Sequence, residues 1–438
     1  MSDYIDDENV ESEIDTSKVY SFPDDIAIVS YKSYRIVVHT QGISWIILNS
    51  DDEYNVFSSL QAGKSIEEVL SLFPEESVMN VLVQIEAKKF DRSTKYDEES
   101  DQLAYIYLTN NCNQRCKHCY MYAGDIVIDE VSVSQWIEAL DKLKSNGFIG
   151  VTFTGGEVTV YKGFSDIIKY AHSIGLVVTV LSNGLLWTED IISQLHSYID
   201  EIQISIDGYD DQSYYSVRQS HGFEKALSCV RCFCELGTRV SIAVTPLFDN
   251  LDEFISHFEP FAKKLIDDYP NLFIKFNHEL IVGRTVSPTK EENEQYKRKL
   301  KALVERLYPN FYIEGFVENY SKEQLKKNCG FGGISIGPNG DVFWCNRIHE
   351  LNSEYNVFKD DFSIIIEQSN NIKRLTSVEN VSPCKDCEIR YICGGGCRLK
   401  FKKIADAGHS SEVLEGYCDG KESIYEKMVL SNEYFFEE

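Results

Sequence analysis

From Leu103 onward the chain repeats one pattern six times: a short apolar run, a polar turn, then a longer stretch with apolar residues at helical spacing. The runs are Ala104–Leu108, Gly150–Thr154, Val177–Leu181, Glu201–Ile206, Arg239–Thr245 and Phe273–Phe276, and amphipathic helices such as Ser134–Ser145 and Phe223–Leu236 lie between them. Regular alternation of this kind predicts an α/β fold, a parallel sheet with right-handed crossovers. Six units suit a partial (β/α)6 barrel, whose functional groups gather at the carboxyl ends of the strands.

The pattern differs on either side. Ile26–Val29, Tyr34–Val38 and Ser44–Leu48 read as short strands, and Asp52–Gln61, Ser65–Phe73 and Pro74–Lys89 as helices, the last opening on Pro74 with Glu75 and Glu76 behind it. Three strands followed by three helices predict a winged-helix-like module at 19–95 of about 70 residues, near the lower limit for folding alone and with a core separate from the barrel. Asp91–Asp101, charged and without glycine, reads as a linker. The segment 1–18 reads as an acidic flexible tail, since the first 25 residues hold nine acids and one lysine. The barrel is expected over 96–320 and a third section over 321–438, opening on a hairpin formed by Ile334–Ile336, the turn Gly337-Pro-Asn-Gly340 and Asp341–Cys345.

Charge narrows the choice of partner. Seventy acidic against 43 basic residues give a net charge of −27, which would repel nucleic-acid phosphates, and the N-terminal module lacks a Lys/Arg-rich recognition helix. No apolar run is long enough to span a bilayer and the first residues are acidic, so neither a membrane nor a signal peptide is expected and the cytoplasm is. There, thirteen cysteines at short spacings read as metal or redox ligands rather than disulfides.

The first cysteines, Cys112, Cys116 and Cys119, are spaced C-x3-C-x2-C on the loop after the first barrel strand. Three thiolates hold three irons of a four-iron cluster and leave the fourth open for chemistry, whereas a zinc site closes four ligands. Three later strand ends carry Thr154-Gly-Gly-Glu157, Ser182-Asn-Gly184 and Ser205-Ile-Asp-Gly208: a backbone that a ligand can approach, a carboxylate for an ammonium group, and small polar turns for hydroxyls. The third section holds Cys329, Cys345, Cys384, Cys387, Cys393, Cys397 and Cys418, with Gly394-Gly-Gly396 among them.

On these residues the chain resembles the radical S-adenosylmethionine (SAM) enzymes with a SPASM extension. The triad resembles their cluster motif, with His118 at its usual aromatic position; Gly155-Gly156-Glu157 resembles the motif for the methionine amino group, with Val158 where the family usually has proline. The resemblance implies that Ser182, Asn183, Ser205 and Asp207 contact ribose and methionine, and that Arg218 faces the SAM carboxylate. It further implies three 4Fe-4S clusters, with Cys329, Cys345 and Cys397 on the first auxiliary cluster and Cys384, Cys387, Cys393 and Cys418 on the second. Two fully ligated auxiliary clusters need eight thiolates and the pattern supplies seven, so the first is one short. Only Cys229, Cys232 and Cys234 remain, at positions that the helix pattern wants apolar.

Ile43-Ser-Trp-Ile-Ile-Leu-Asn-Ser with Gly63-Lys-Ser-Ile-Glu-Glu-Val resembles the leader-recognition module of peptide-modifying enzymes, which takes an extended peptide as an added strand. The implied function is a maturase that cross-links a ribosomally made precursor peptide through a thioether, carbon–carbon or ether bond, after hydrogen abstraction by the 5′-deoxyadenosyl radical. Its implied reductant is an external one-electron donor such as flavodoxin or ferredoxin. Two readings compete: a noncatalytic peptide-binding iron–sulfur scaffold, and a SPASM dehydrogenase acting on another protein's side chain. Against sulfatase maturation stands Asn346, where those relatives carry aspartate.

Overall fold

The computed structural model describes residues 15–93, 95–98, 102–401, 416, 418, 420–432 and 434, so most of the expected acidic tail, 1–14, lies outside the described residues. The first module contains β1 (Ile26–Tyr31), β2 (Tyr34–His39) and β3 (Trp45–Leu48), then α1 (Asp51–Gln61), α2 (Ile66–Leu72) and α3 (Glu75–Ala87). β1 and β2 form a hairpin closed by Lys32 and Ser33, with Lys32 at φ 53° as such a turn requires. The module begins earlier than expected. The carbonyls of Thr16 and Lys18 accept the N–H groups of Glu67 and Ile66 and so cap the open start of α2.

The expectation of a separate core for this module does not hold, because its sheet is buried on both faces. Val37, Ile46 and Leu48 pack with the module's own Val56, Phe57 and Val81, while Ile36, Val38, Trp45 and Ile47 pack with Phe316, Tyr391 and Met428 from the far end of the chain. The cause is in the sequence: Ile36-Val-Val38 and Trp45-Ile-Ile-Leu48 are apolar on consecutive residues, so each strand presents apolar side chains both ways. The supposed linker also contains β4 (Asp97–Glu98), which reappears below as a sheet partner.

The barrel section runs β5 (Leu103–Tyr107), α4 (Val133–Ser145), β6 (Gly150–Thr154), α5 (Phe164–Ser173), β7 (Val177–Ser182), α6 (Glu189–Leu195), β8 (Glu201–Ser205), α7 (Asp211–Arg218), α8 (Phe223–Glu235), β9 (Arg239–Val244), α9 (Leu251–Asp268) and β10 (Leu272–Phe276). Strands β5 to β10 are parallel neighbours in chain order. Alternate residues such as Val178, Val180, Ile202, Ile204, Val240 and Ile242 are buried in the main core with residues of the surrounding helices. Their neighbours Leu181, Gln203, Ser205 and Ala243 turn the other way and line a cavity.

After α10 (Lys290–Leu307) and α11 (Phe311–Ser321), β11 (Gln324–Leu325) pairs in parallel with β4. The expected hairpin, β12 (Ser335–Ile336) and β13 (Asp341–Phe343), does not stand apart. β12 adds in parallel to β5, and β13 then β14 (Tyr355–Asn356) continue the same nine-stranded sheet. α12 (Phe362–Leu375), α13 (Arg390–Cys393) and α14 (Lys421–Leu430) complete the described chain.

Candidate functional site

The loop after β5 carries Cys112, Cys116 and Cys119, and the rest of the protein holds it by its backbone. Arg115 donates to the carbonyls of Cys112, Gln114 and Gly124, and Arg284, from the segment after β10, donates to those of Cys116 and Ala123. Asp125 joins the two arginines, at 2.9 Å from Arg115 and 2.8 Å from Arg284. Gly283 lies so close that a Cβ there would stand 2.6 Å from the carbonyl carbon of His118. Neither Arg284 nor Gly283 was identifiable from motif spacing, because both reach the loop only through the fold. We expect Arg284→Gln to weaken this clamp by about 3 kcal/mol, the worth of a few charge-assisted hydrogen bonds. Iron bound per chain and the thermal midpoint should both fall, and unchanged values for both would remove the clamp role.

Gly155 and Gly156 serve this loop as well as the cavity. Gly156 N–H donates to the Thr109 carbonyl at 2.7 Å and Glu157 N–H to that of Asn111 at 2.9 Å, while a Cβ on either glycine would overlap the 109–111 backbone. Glu157 lies behind them. Its carboxylate accepts from the Ser182 hydroxyl and the Asn183 N–H, both at 2.7 Å, and from Thr159, tying the end of β6 to the end of β7. Asp207 is also recessed and fully buried, 2.6 Å from Arg218 Nε and accepting from Thr245 N–H. Of the eight residues matched to SAM contacts, Gly155, Gly156, Ser182, Asn183, Ser205 and Arg218 reach the cavity wall, while Glu157 and Asp207 orient residues that do.

The chemistry around the three thiols suits an anionic iron–sulfur centre. Burial pushes the Cys112 thiol up to about 11, and raises Cys116 against the pull of Arg218; a bound metal would displace the protons of both. The donors for the resulting charge are in place: Gln114 N–H lies 3.4 Å from the Cys112 sulfur and Arg218 3.7 Å from that of Cys116. His118 is held neutral, near 4, by burial and by Arg218 and Arg284, with Asp207 opposing.

The later cysteines fall into two groups. Cys345 has Cys329 and Cys397 as charged neighbours, whereas Cys384 has Cys393 and Cys418, and Cys387 has Cys393. Between the groups sits the fully buried Arg398, whose guanidinium donates to the carbonyls of Thr376, Gly394 and Gly396 and feels Cys329, Cys384, Cys393 and Cys397. A buried cation beside four thiols would offset the charge of clusters held there. Cys229 and Cys234 are buried within the main core, with Cys232 packed against it, so α8 supplies no eighth thiol to the Cys329 group. A further link joins the two cysteine loops: the Tyr107 hydroxyl donates to the carbonyl of Asn346, beside Cys345, and the ring of Tyr120, beside Cys119, lies tilted against His349 with centres 4.3 Å apart.

All this opens on one cavity of about 960 Å³. Its inner wall is the cysteine loop, Gly155, Gly156 and the strand ends, and its outer wall includes His278, Glu279, Lys290, Glu294, Lys297, Arg347 and Lys400. Burial, with Lys297 adding, lowers the basicity of His278.

Residues 106–260 match the radical SAM superfamily model. The sporulation killing factor maturation protein SkfB of Bacillus subtilis is 35% identical over 149 residues, which span 34% of this chain and 36% of that protein. The antilisterial bacteriocin subtilosin biosynthesis protein AlbA, also of B. subtilis, is 27% identical over 68% of this chain and 67% of its own length. Among solved structures, Streptococcus suis SuiB covers 88% of this chain and 98% of its own at 17% identity and TM-score 0.51, which is a likeness of fold. A second solved structure, anSMEcpe with bound AdoMet, covers 76% of this chain and 100% of its own, at 17% identity and TM-score 0.56. The cysteine loop, the glycine pair and the ends of β6 to β9 thus fall within residues 106–260, a radical SAM domain.

Proposed function

We propose that this enzyme modifies a ribosomally made precursor peptide, forming an intramolecular cross-link. The observation that supports it best is the cavity that joins the three-cysteine loop to a wide outer wall drawn from α10, the hairpin end and Lys400. That volume accommodates a nucleoside cofactor together with a peptide segment. The relatives point the same way: SkfB and AlbA are maturation or biosynthesis proteins by name, a further relative, 24% identical over 70% of this chain, is the PqqA peptide cyclase of Bradyrhizobium diazoefficiens, and SuiB has been crystallised with its precursor peptide SuiA.

When bound, a 4Fe-4S cluster and SAM supply one-electron cleavage of SAM and a carbon radical able to take hydrogen from the peptide. Cys112, Cys116 and Cys119 would hold that cluster, while Ser182, Asn183, Ser205 and Arg218 would orient the nucleoside and carboxylate. The two further cysteine groups would hold auxiliary clusters, making three in all, and an external one-electron donor such as flavodoxin or ferredoxin would supply reducing equivalents. His278, which faces the cavity and whose basicity burial lowers, could take the proton released when the cross-link closes, the accompanying electron passing to an auxiliary cluster that the later cysteines would hold.

The leader would add to the sheet of the first module. Its β3 edge is closed at Ile47, where the Gln84 carboxamide accepts from the backbone N–H and donates to the carbonyl, both at 2.7 Å. The edge left for an added strand is that of β1, where the hairpin register turns the backbone groups of Ile26, Ile28 and Ser30 away from β2.

The test is anaerobic reconstitution with iron, sulfide, dithionite and SAM, then addition of the neighbouring small precursor peptide. We expect 5′-deoxyadenosine and a peptide lighter by two hydrogens that resists fragmentation between the joined residues. A dehydrogenated side chain would have the same mass and fragment along its whole length, and absence of 5′-deoxyadenosine would favour a scaffold.

A further inference from the structure

Four lysines converge where α10, α11 and α14 meet the outer wall of the cavity. Lys297 lines the cavity two turns into α10. Lys301 on the same helix and Lys427 on α14 each place an ammonium 5.6 Å from the centre of the Tyr312 ring, and the Tyr312 hydroxyl meets Nε2 of the cavity residue His278 at 3.2 Å. Lys326 completes the group. After burial, Lys301, Lys326 and Lys297 are the neighbours that lower the basicity of Lys427, so the four charges act on one another.

Elsewhere on the same wall, positive charge is balanced. Lys400 pairs with Glu279 at 3.0 Å and Arg347 pairs with Glu350, whereas Lys290, like Lys301, only approaches a carboxylate one turn on, Glu294 at 3.9 Å. Among the described residues no carboxylate stands within 4.0 Å of Lys297, Lys326 or Lys427, and Lys301 reaches only Glu305, at 3.8 Å. In a chain with 70 acidic residues this is not a shortage of counter-charge. Crowded like charges cost stability, and an anion that binds among them recovers it.

We propose that this lysine cluster recognises an acidic segment of the substrate peptide, its aspartate or glutamate side chains seated among Lys297, Lys301, Lys326 and Lys427; the proposal rests on the reading of the protein as a peptide-modifying enzyme. The dimensions agree with an extended segment. From Lys297 to Lys301 the helix rises about 6 Å, which an extended chain covers in about two residues. Lysines suit the task because a flexible point charge follows a carboxylate without demanding one geometry. Tyr312 fixes where two of them sit, since a ring face attracts both ammonium groups. The cluster would hold the peptide beside His278 and the inner wall.

The test uses two short synthetic peptides that differ only in glutamate against glutamine at alternate positions, each with an uncharged fluorophore. Binding to the intact chain is read by anisotropy at low and high salt. We expect the acidic peptide to bind about tenfold more tightly at low salt, as three partly exposed ion pairs together supply, and the preference to shrink as salt rises. The triple variant Lys297→Gln, Lys326→Gln, Lys427→Gln should lose the preference, and the matching triple Lys→Arg variant should keep it. Equal affinity for the two peptides, or a preference undiminished in the glutamine variant, overturns the proposal. Formation of 5′-deoxyadenosine is scored separately on the reconstituted enzyme. SAM cleavage without acidic preference overturns the lysine site alone, whereas acidic preference in a protein that never cleaves SAM overturns the groove as a substrate site.

Discussion

Cys116→Ala should form no 5′-deoxyadenosine above the enzyme-free background and should lose about one cluster's worth of iron. Three thiolates are the fewest that fix a four-iron cluster while leaving one iron for SAM, and no cysteine beyond the triad lines the cavity among the described residues. Cys116 is also the buried member of the three, and Arg218 and Gln114 are placed round its sulfur. Its loss therefore leaves a guanidinium aimed at an empty position. Cys232→Ala, on the outward helix α8, serves as the control and should keep full iron and SAM cleavage. Wild-type 5′-deoxyadenosine formation by Cys116→Ala would refute the role given to the triad.

Deleting residues 1–93 should prevent the remainder from folding to a stable monomer, rather than only weakening peptide binding. Ile36, Val38, Trp45 and Ile47 form one face of a core completed by Phe316, Val378, Ile389, Tyr391, Ile392, Tyr425 and Met428. Four large side chains at about 2 kcal/mol each amount to about 8 kcal/mol, comparable with the whole stability of a typical domain. Polar ties are lost as well: Trp45 Nε1 donates to the Met428 carbonyl at 3.2 Å, and Lys88 to Asn432 at 2.7 Å. Size-exclusion chromatography and thermal unfolding of the truncated chain give the answer. A soluble monomer with an unchanged midpoint would show the two parts to be independent after all.

The parts of the fold that were legible in the sequence are those with a local signal. Period-two and period-3.6 patterns placed all six parallel strands and the three leading helices within one or two residues, because each element's own burial pattern repeats its structure. The consecutive apolar residues of β2 and β3 were equally visible, yet they do not say what covers the second face. That partner lies nearly four hundred residues away in α14. For the same reason the hairpin was readable as a hairpin but not as an extension of the barrel sheet. At the site, cysteine and glycine spacings pointed to the loops, since those chemistries need fixed short intervals. Arg284, Arg398 and the Tyr312 lysines had no such interval, and only the tertiary structure brings them together. The recessed positions of Glu157 and Asp207 follow from hydrogen bonds that a motif does not encode.

The pairing of β12 with β5 has a consequence for how the protein is made. The strand that carries the three-cysteine loop emerges from the ribosome early, but its outer neighbour is translated about 230 residues later. At about 5–20 residues per second this leaves one edge of the nascent sheet unpaired for about 12 to 46 seconds. An open edge of that kind is a template for wrong pairing. Nor can Tyr107 reach its carbonyl partner at Asn346 until the hairpin has docked. Metal loading should therefore follow completion of synthesis, and slow translation across the middle of the gene should lower the yield of cluster-bearing protein more than that of polypeptide.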